Sequence, residues 1–112
     1  MTTTYKRLAA WNSIGTIGTA DTTYYSVPSA TSSVVSTIAV CNQAATTATY
    51  RIATSTTTAY TGGIYVVYGA TIAANDTIFI TVGMTLDAVN KYLLASGSAT
   101  TVSFTVFGSE IT

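Results

Sequence analysis

Apolar side chains recur at every second position in this sequence, and that spacing limits the folds open to it more than any other feature. In the segment DTIFITV, Ile78, Ile80 and Val82 fall on one side and Thr77, Phe79 and Thr81 on the other. In TTVSFTVFG, Val102, Phe104 and Val106 oppose Ser103 and Thr105. Successive side chains of a strand point to opposite faces, so both segments read as half-buried strands, whereas a helix needs a repeat near 3.6. Large apolar residues run almost to the last residue, which predicts that the C-terminal segment is an interior strand ending near Phe107, with Gly108 free to turn the chain.

The same reading places strands at Thr22 to Val27, Ser33 to Cys41, Thr47 to Ala53, Ile64 to Ile72 and Lys91 to Ser96, with a further short one within Tyr5 to Trp11. Turn chemistry separates them. Val27-Pro28-Ser29-Ala30 stops one run because proline lacks the ladder donor, Gly62-Gly63 is a hairpin signal, and Ala74-Asn75-Asp76 marks a turn. The segment MTLDAVNKYLLAS has Leu86, Val89, Leu93 and Leu94 at roughly helical offsets; a turn at Asp87 to Asn90 followed by a strand is preferred, with a helix as the competing reading. The expected fold class is all-β: a single-domain antiparallel β-sandwich, jelly-roll or Ig-like, of about eight strands. Residues 1–20 read as an N-terminal arm and linker, because NSIGTIGTA is small and polar, and residues 21–112 as the sandwich.

Composition bounds the function. Charged residues make up 7% of the 112 residues and the net charge is zero, so a hydroxyl surface takes the place of an ionic one. Threonine, about a fifth of the chain, suits the exposed face of a sheet. No basic patch exists to attract nucleic acid or an anionic bilayer, and no apolar stretch approaches the ~18 residues of a spanning helix, so neither nucleic-acid binding nor membrane insertion is expected. The first eleven residues hold too few apolar side chains for a secretory h-region. A near-neutral surface gives little protection against association and favours a chain that works in an assembly.

Chemistry is equally bounded. Without histidine there is no Ser-His-Asp or Cys-His apparatus and no imidazole metal site. The lone Cys41 excludes an intrachain disulfide and reads as a small buried hydrophobe. The four carboxylates are Asp21, Asp76, Asp87 and Glu110; the aspartates read as turn caps, and Glu110 as a solvated residue beyond the last strand. GTIGTAD lacks the lysine of a phosphate loop, and no calcium-loop spacing occurs. Asn75-Asp76-Thr77 matches a glycosylation acceptor, which needs a secretory route to be used. No enzyme activity, cofactor or metal is expected.

The aromatic residues remain. Tyr65 and Val67 stand out because IYVVY is apolar on both faces, as if a neighbouring subunit covers the second. Tyr5, Lys6, Arg7, Leu8 and Trp11 form a segment suited to docking on another chain by strand addition, or else to being the first strand of its own sheet. These seven residues are the candidate partner interface.

The order YKRL, YYSVPSATSSVVSTIAVCNQ, TYRIA, IYVVY, AANDTIFITVGMTL and VSFTVFGSEIT resembles that of small virion structural proteins of tailed bacteriophages, particularly phages of marine bacteria and cyanobacteria. The resemblance covers nearly the whole chain. It implies a non-enzymatic β-sandwich made in the host cytoplasm and carried on the exterior of the phage particle, decorating the capsid or attached to the tail, baseplate or fibres. Its partners would be other virion proteins, major capsid or tail proteins, and further copies of itself. After GMTL this chain continues DAVNKYLL rather than with a glycine-containing turn, which leaves strand and helix open over residues 86–95. The alternative function is a carbohydrate-binding, receptor-reading sandwich, which would need two or three coplanar exposed tyrosines beside an Asn, Asp or Gln to stack on a host-surface glycan.

Overall fold

The alternating segments all become strands. A computed structural model describes all 112 residues and contains eight: β1 (Thr3–Asn12), β2 (Tyr25–Ser26), β3 (Ser32–Asn42), β4 (Ala48–Ser55), β5 (Ile64–Ile72), β6 (Thr77–Leu86), β7 (Tyr92–Gly97) and β8 (Val102–Ile111). They form two four-stranded antiparallel sheets, β1-β8-β3-β6 (sheet A) and β2-β7-β4-β5 (sheet B). β1 pairs with β8, β2 with β7, β3 with β6 and β4 with β5, as if one long hairpin had been rolled up. Of the two arrangements expected, this is the jelly roll.

The core is the space between the sheets. Each cross-strand row of sheet A contributes one layer, such as Trp11, Phe104, Val40 and Ile78, or Ala9, Val106, Ile38 and Ile80. Sheet B answers with Tyr25, Leu93, Ile52, Ala95, Tyr50 and Ile72. Phe104 is fully buried and meets the Trp11 ring at 5.5 Å, a geometry that adds to the area both rings bury.

A line of bulges crosses sheet A. Leu8 is the extra residue of β1 against Phe107 and Val106, and Ser36 is the extra residue of β3 against Phe107 and Gly108. A bulge swaps the faces beyond it, so Trp11 and Ala9 point inward below the line, and Lys6 and Thr4 share the inward register with Gly108 and Glu110 above it.

Several expectations need correction. The division into an arm and linker (1–20) and a body (21–112) does not describe the fold: β1 is an edge strand of sheet A, and Thr2 and Thr112 exchange backbone hydrogen bonds of 3.0 and 2.9 Å. The supposed linker is pinned, because the Ser96 hydroxyl donates to the Ile17 carbonyl at 2.7 Å and the Asp21 N–H to that of Ala95 at 2.9 Å. β8 continues past Gly108 to Ile111. The expected strand Thr22 to Val27 shrinks to Tyr25–Ser26, since the residues before it belong to the segment laid over sheet B. Gly62-Gly63 closes an eight-residue loop between Ser55 and Ile64 rather than a tight hairpin. Cys41 is only half-buried and lies in the outward register of sheet A with Ala39 and Thr37. Residues 87–90, by contrast, form the preferred turn and β7 follows it: the Asp87 carboxylate accepts the N–H groups of Val89 and Asn90, both at 2.9 Å.

Candidate interaction surface

The two sheets present their outer faces differently. On sheet B, Ala53, Ser55, Leu94 and Ser96 lie in the outward register yet are buried. The segments before β2 and after β4 carry the groups that tie down over them: Ile17 and Asp21 bond to β7, and Ala59 accepts the Ser55 hydroxyl at 3.2 Å. A shallow cleft of about 240 Å³ lies between these segments, lined by Gly18, Thr19 and Ala20 on one side and Thr58 to Thr61 on the other. No ionisable group but the Tyr60 phenol lines it.

One anchor of the covering segment is Asp21, which is 2% exposed. It accepts three hydrogen bonds, from the Trp11 indole N–H at 2.9 Å, the Ser13 hydroxyl at 3.0 Å and the Ile14 N–H at 3.1 Å. Burial raises its pKa above the ordinary 3.8, and the three donors oppose that rise.

Sheet A has no such cover. Its outward rows read Arg7, Phe107, Thr37, Thr81; then Ala10, Thr105, Ala39, Phe79; then Asn12, Ser103, Cys41, Thr77. Arg7 is the one charged side chain among these twelve. Phe79 stands 70% exposed at the free edge. A flat, small-residue, hydroxyl-rich face of this kind can meet another protein without stripping water from ions.

The seven candidate residues fall into separate places. Tyr5 is exposed on the outward face of sheet A, its hydroxyl 3.0 Å from that of Ser36. Arg7 is exposed and Leu8 half-buried at the bulge. Lys6 reaches inward, with Nζ 2.7 Å from Glu110 Oε1. Trp11 belongs to the core and to the Asp21 anchor, so it is withdrawn as an interface residue. Tyr65 and Val67 point to opposite faces, because β5 bulges at Val66 and again at Gly69. Val67 packs on the core and Tyr65 outward.

Two groupings were not anticipated. The first is a polar tie at one end of the sandwich. Glu110, expected to be solvated, has a side chain only 13% exposed; it pairs with Lys6 and accepts the Tyr25 phenol at 2.7 Å, and that phenol also lies 2.6 Å from the Ser33 hydroxyl. Burial pushes Tyr25 up to about 12. Burial also pulls the Glu110 carboxyl upward, but the hydrogen bonds of Lys6 and Tyr25 and the Lys6 charge together hold it below its usual 4.5. The two carboxylates therefore act oppositely. Glu110 stabilises the fold above its unfolded pKa and loses that contribution as pH falls through its lower folded value. Asp21 destabilises as pH rises from 3.8 through its raised folded value. Urea titrations from pH 3 to 7 are expected to show a shallower acid limb for Glu110→Gln than for the parent, at a cost of about 1 kcal/mol at neutral pH. An unchanged acid limb would remove Glu110 from the account.

The second grouping gathers Tyr60, Tyr65 and Tyr68 beside Arg51 on the outer side of sheet B. Tyr60 and Tyr65 lie 5.1 Å apart at 45°, Tyr65 and Tyr68 4.7 Å apart at 85°, and the Arg51 guanidinium carbon is 4.1 Å from the centre of the Tyr68 ring. Arg51 Nε is buried without a hydrogen-bond partner, so the ring face is what it meets. Rings set edge to face give no common plane for a sugar to lie on. Asp76 and Asp87 are both exposed and satisfy neighbouring backbone N–H groups, and nowhere do three Cys, Asp or Glu side chains gather as a metal site would need.

Exposed apolar residues concentrate on the two strands that border the same side of the sandwich: Ile64, Tyr65, Val66 and Tyr68 on β5, and Phe79 on β6, with Ile78, Ile80, Val82 and Met84 of β6 only partly covered. Neither strand carries a charge. No protein-family model matches the chain, and no curated protein is significantly similar to it.

Proposed function

We propose that this chain is a non-enzymatic structural protein of the exterior of a tailed phage particle, working through protein–protein contacts made by the bare face of sheet A and the apolar edges of β5 and β6. The observation that carries the reading is the uncovered, nearly ion-free outer face of sheet A beside an apolar border, on a chain with only eight charged residues. Such a surface is poorly suited to facing water and well suited to burial between neighbours. The motif order that resembles virion proteins supports the same reading, as does the jelly roll, which recurs in viral capsid domains. That last support is an analogy of fold, since one fold serves many functions.

Mass spectrometry and electron microscopy of purified particles, before and after disruption of the gene, test the proposal. The chain is expected in the particle; loss of capsid stability with normal adsorption assigns it to the capsid, and the reverse assigns it to the tail. Its absence from particles overturns the reading. Binding on a glycan array that Tyr68→Ala abolishes would replace it with the carbohydrate-binding alternative.

A further inference from the structure

Sheets end in edges, and an edge strand with free N–H and C=O groups invites another strand unless something blocks it. The four edges of this sandwich are β1, β6, β2 and β5. Three are blunted. β1 carries Lys6, Arg7 and the Leu8 bulge; β2 is two residues long; β5 is broken by bulges at Val66 and Gly69. β6 from Thr77 to Thr81 is straight, uncharged and free of proline, and its register with β3 is unbroken over that stretch.

The sequence of this open edge is Thr-Ile-Phe-Ile-Thr, the same in both directions. An antiparallel pair of two copies centred on Phe79 therefore matches like with like: Phe79 faces the partner's Phe79, Ile78 the partner's Ile80, and Thr77 the partner's Thr81. The backbone phase agrees. The Asn42 N–H donates to the Asp76 carbonyl at 2.9 Å, which makes Asn42 and Asp76 a hydrogen-bonded pair. Alternation then turns the groups of Ile78 and Ile80 toward β3 and leaves those of Thr77, Phe79 and Thr81 pointing to the open side. Those three residues are the ones a pair centred on Phe79 uses: the Phe79 rung exchanges both of its N–H···O=C bonds, and in the two outer rungs the Thr77 N–H, which donates to its neighbour Asp76 Oδ1 at 2.9 Å in the single chain, exchanges that exposed partner for the carbonyl of the partner's Thr81.

We infer that two copies of this chain associate through antiparallel β6–β6 pairing about a two-fold axis at Phe79, joining the two A sheets into one continuous sheet. The inference rests on the proposed role in an assembly and specifies the first contact of that assembly. Pairing stacks isoleucine on isoleucine over the half-covered inner side and threonine on threonine over the outer one, both favourable cross-strand matches. It buries no charge. Gly83, with φ of 58°, lies past Val82 in the irregular part of the β3–β6 ladder and bounds the straight segment.

Sedimentation velocity of the full chain over a concentration series up to about 1 mM is expected to show a monomer–dimer equilibrium. Because residue 79 meets its own twin, Phe79→Lys and Phe79→Glu should each raise the dissociation constant at least about 100-fold through like-charge repulsion. Mixing the two variants should restore a dimer containing one of each. Far-UV circular dichroism of both variants should match the parent, since Phe79 is exposed. A parent chain that stays monomeric, an oligomer that survives both variants, or a loss that mixing does not rescue each overturns the pairing. A monomeric chain that is nevertheless found on particles would overturn the pairing alone and leave the proposed function standing.

Discussion

Gly108→Ala is expected to destabilise the protein by about 3 kcal/mol and to lower Tm by about 10 °C or more. Gly108 is buried beside the Leu8 and Ser36 bulges, paired with Lys6 of β1 and Val35 of β3. A methyl group there would overlap the Val34 carbonyl oxygen and sit 3.0 Å from Leu8 Cδ1. Backbone of a central strand cannot yield as a side chain can, so the β3–β8 ladder has to open at the bulge. Gly18→Ala is the control, because a Cβ at Gly18 meets nothing within 4 Å; its effect should stay within about 0.5 kcal/mol. Equal midpoints for the two variants in urea would show that the close approach is not a constraint.

Asp21→Ala should cost a similar amount, about 3 kcal/mol. It removes the acceptor of the Trp11 indole, the Ser13 hydroxyl and the Ile14 N–H at once, and orphaned donors in a buried place are costly. Trp11 is the sole tryptophan, so its fluorescence should shift to the red as the segment over sheet B loosens. Asp21→Asn should fall between parent and alanine variant. Its Oδ1 can keep Ser13 and Ile14, but its amide would turn a donor toward the indole N–H. The asparagine variant also lacks the destabilisation that ionisation of Asp21 brings, so its stability should no longer fall as pH rises above 3.8 on that account. A loss below about 0.5 kcal/mol on Asp21→Ala would mean that the covering segment is held by other contacts.

The extent of a strand is legible from sequence even where it bulges, but the face each side chain takes beyond a bulge is not. β3 and β5 were located nearly to the residue, and the inward row Val102, Phe104, Val106 was assigned to the correct face. β1 escaped a firm assignment because Leu8 interrupts its period: counting by twos from Trp11 leads to Arg7, yet the inward side chain is Lys6. The same device on β5 sends Tyr65 and Tyr68 outward together and Val67 inward, which a strict period of two cannot give. Glu110 falls outside the expected strand because a glycine such as Gly108 signals a turn in sequence, when what the position demands is the absence of a Cβ. The self-matching stretch on β6 was open to view, but its meaning depends on β6 being an edge, and strand order is a property of topology rather than of local pattern.

Because each strand of the first half finds its partner in the second half, the order in which the ribosome delivers the chain matters. Only β4 and β5 can close as neighbours soon after they emerge; β3 waits for β6, β2 for β7, and β1 for a mate roughly a hundred residues downstream. High contact order of this kind makes folding slow and postpones it until β8 has been delivered. A nascent fragment lacking β8 would leave one long side of β3 unzipped, so premature termination should yield insoluble material rather than a smaller stable domain.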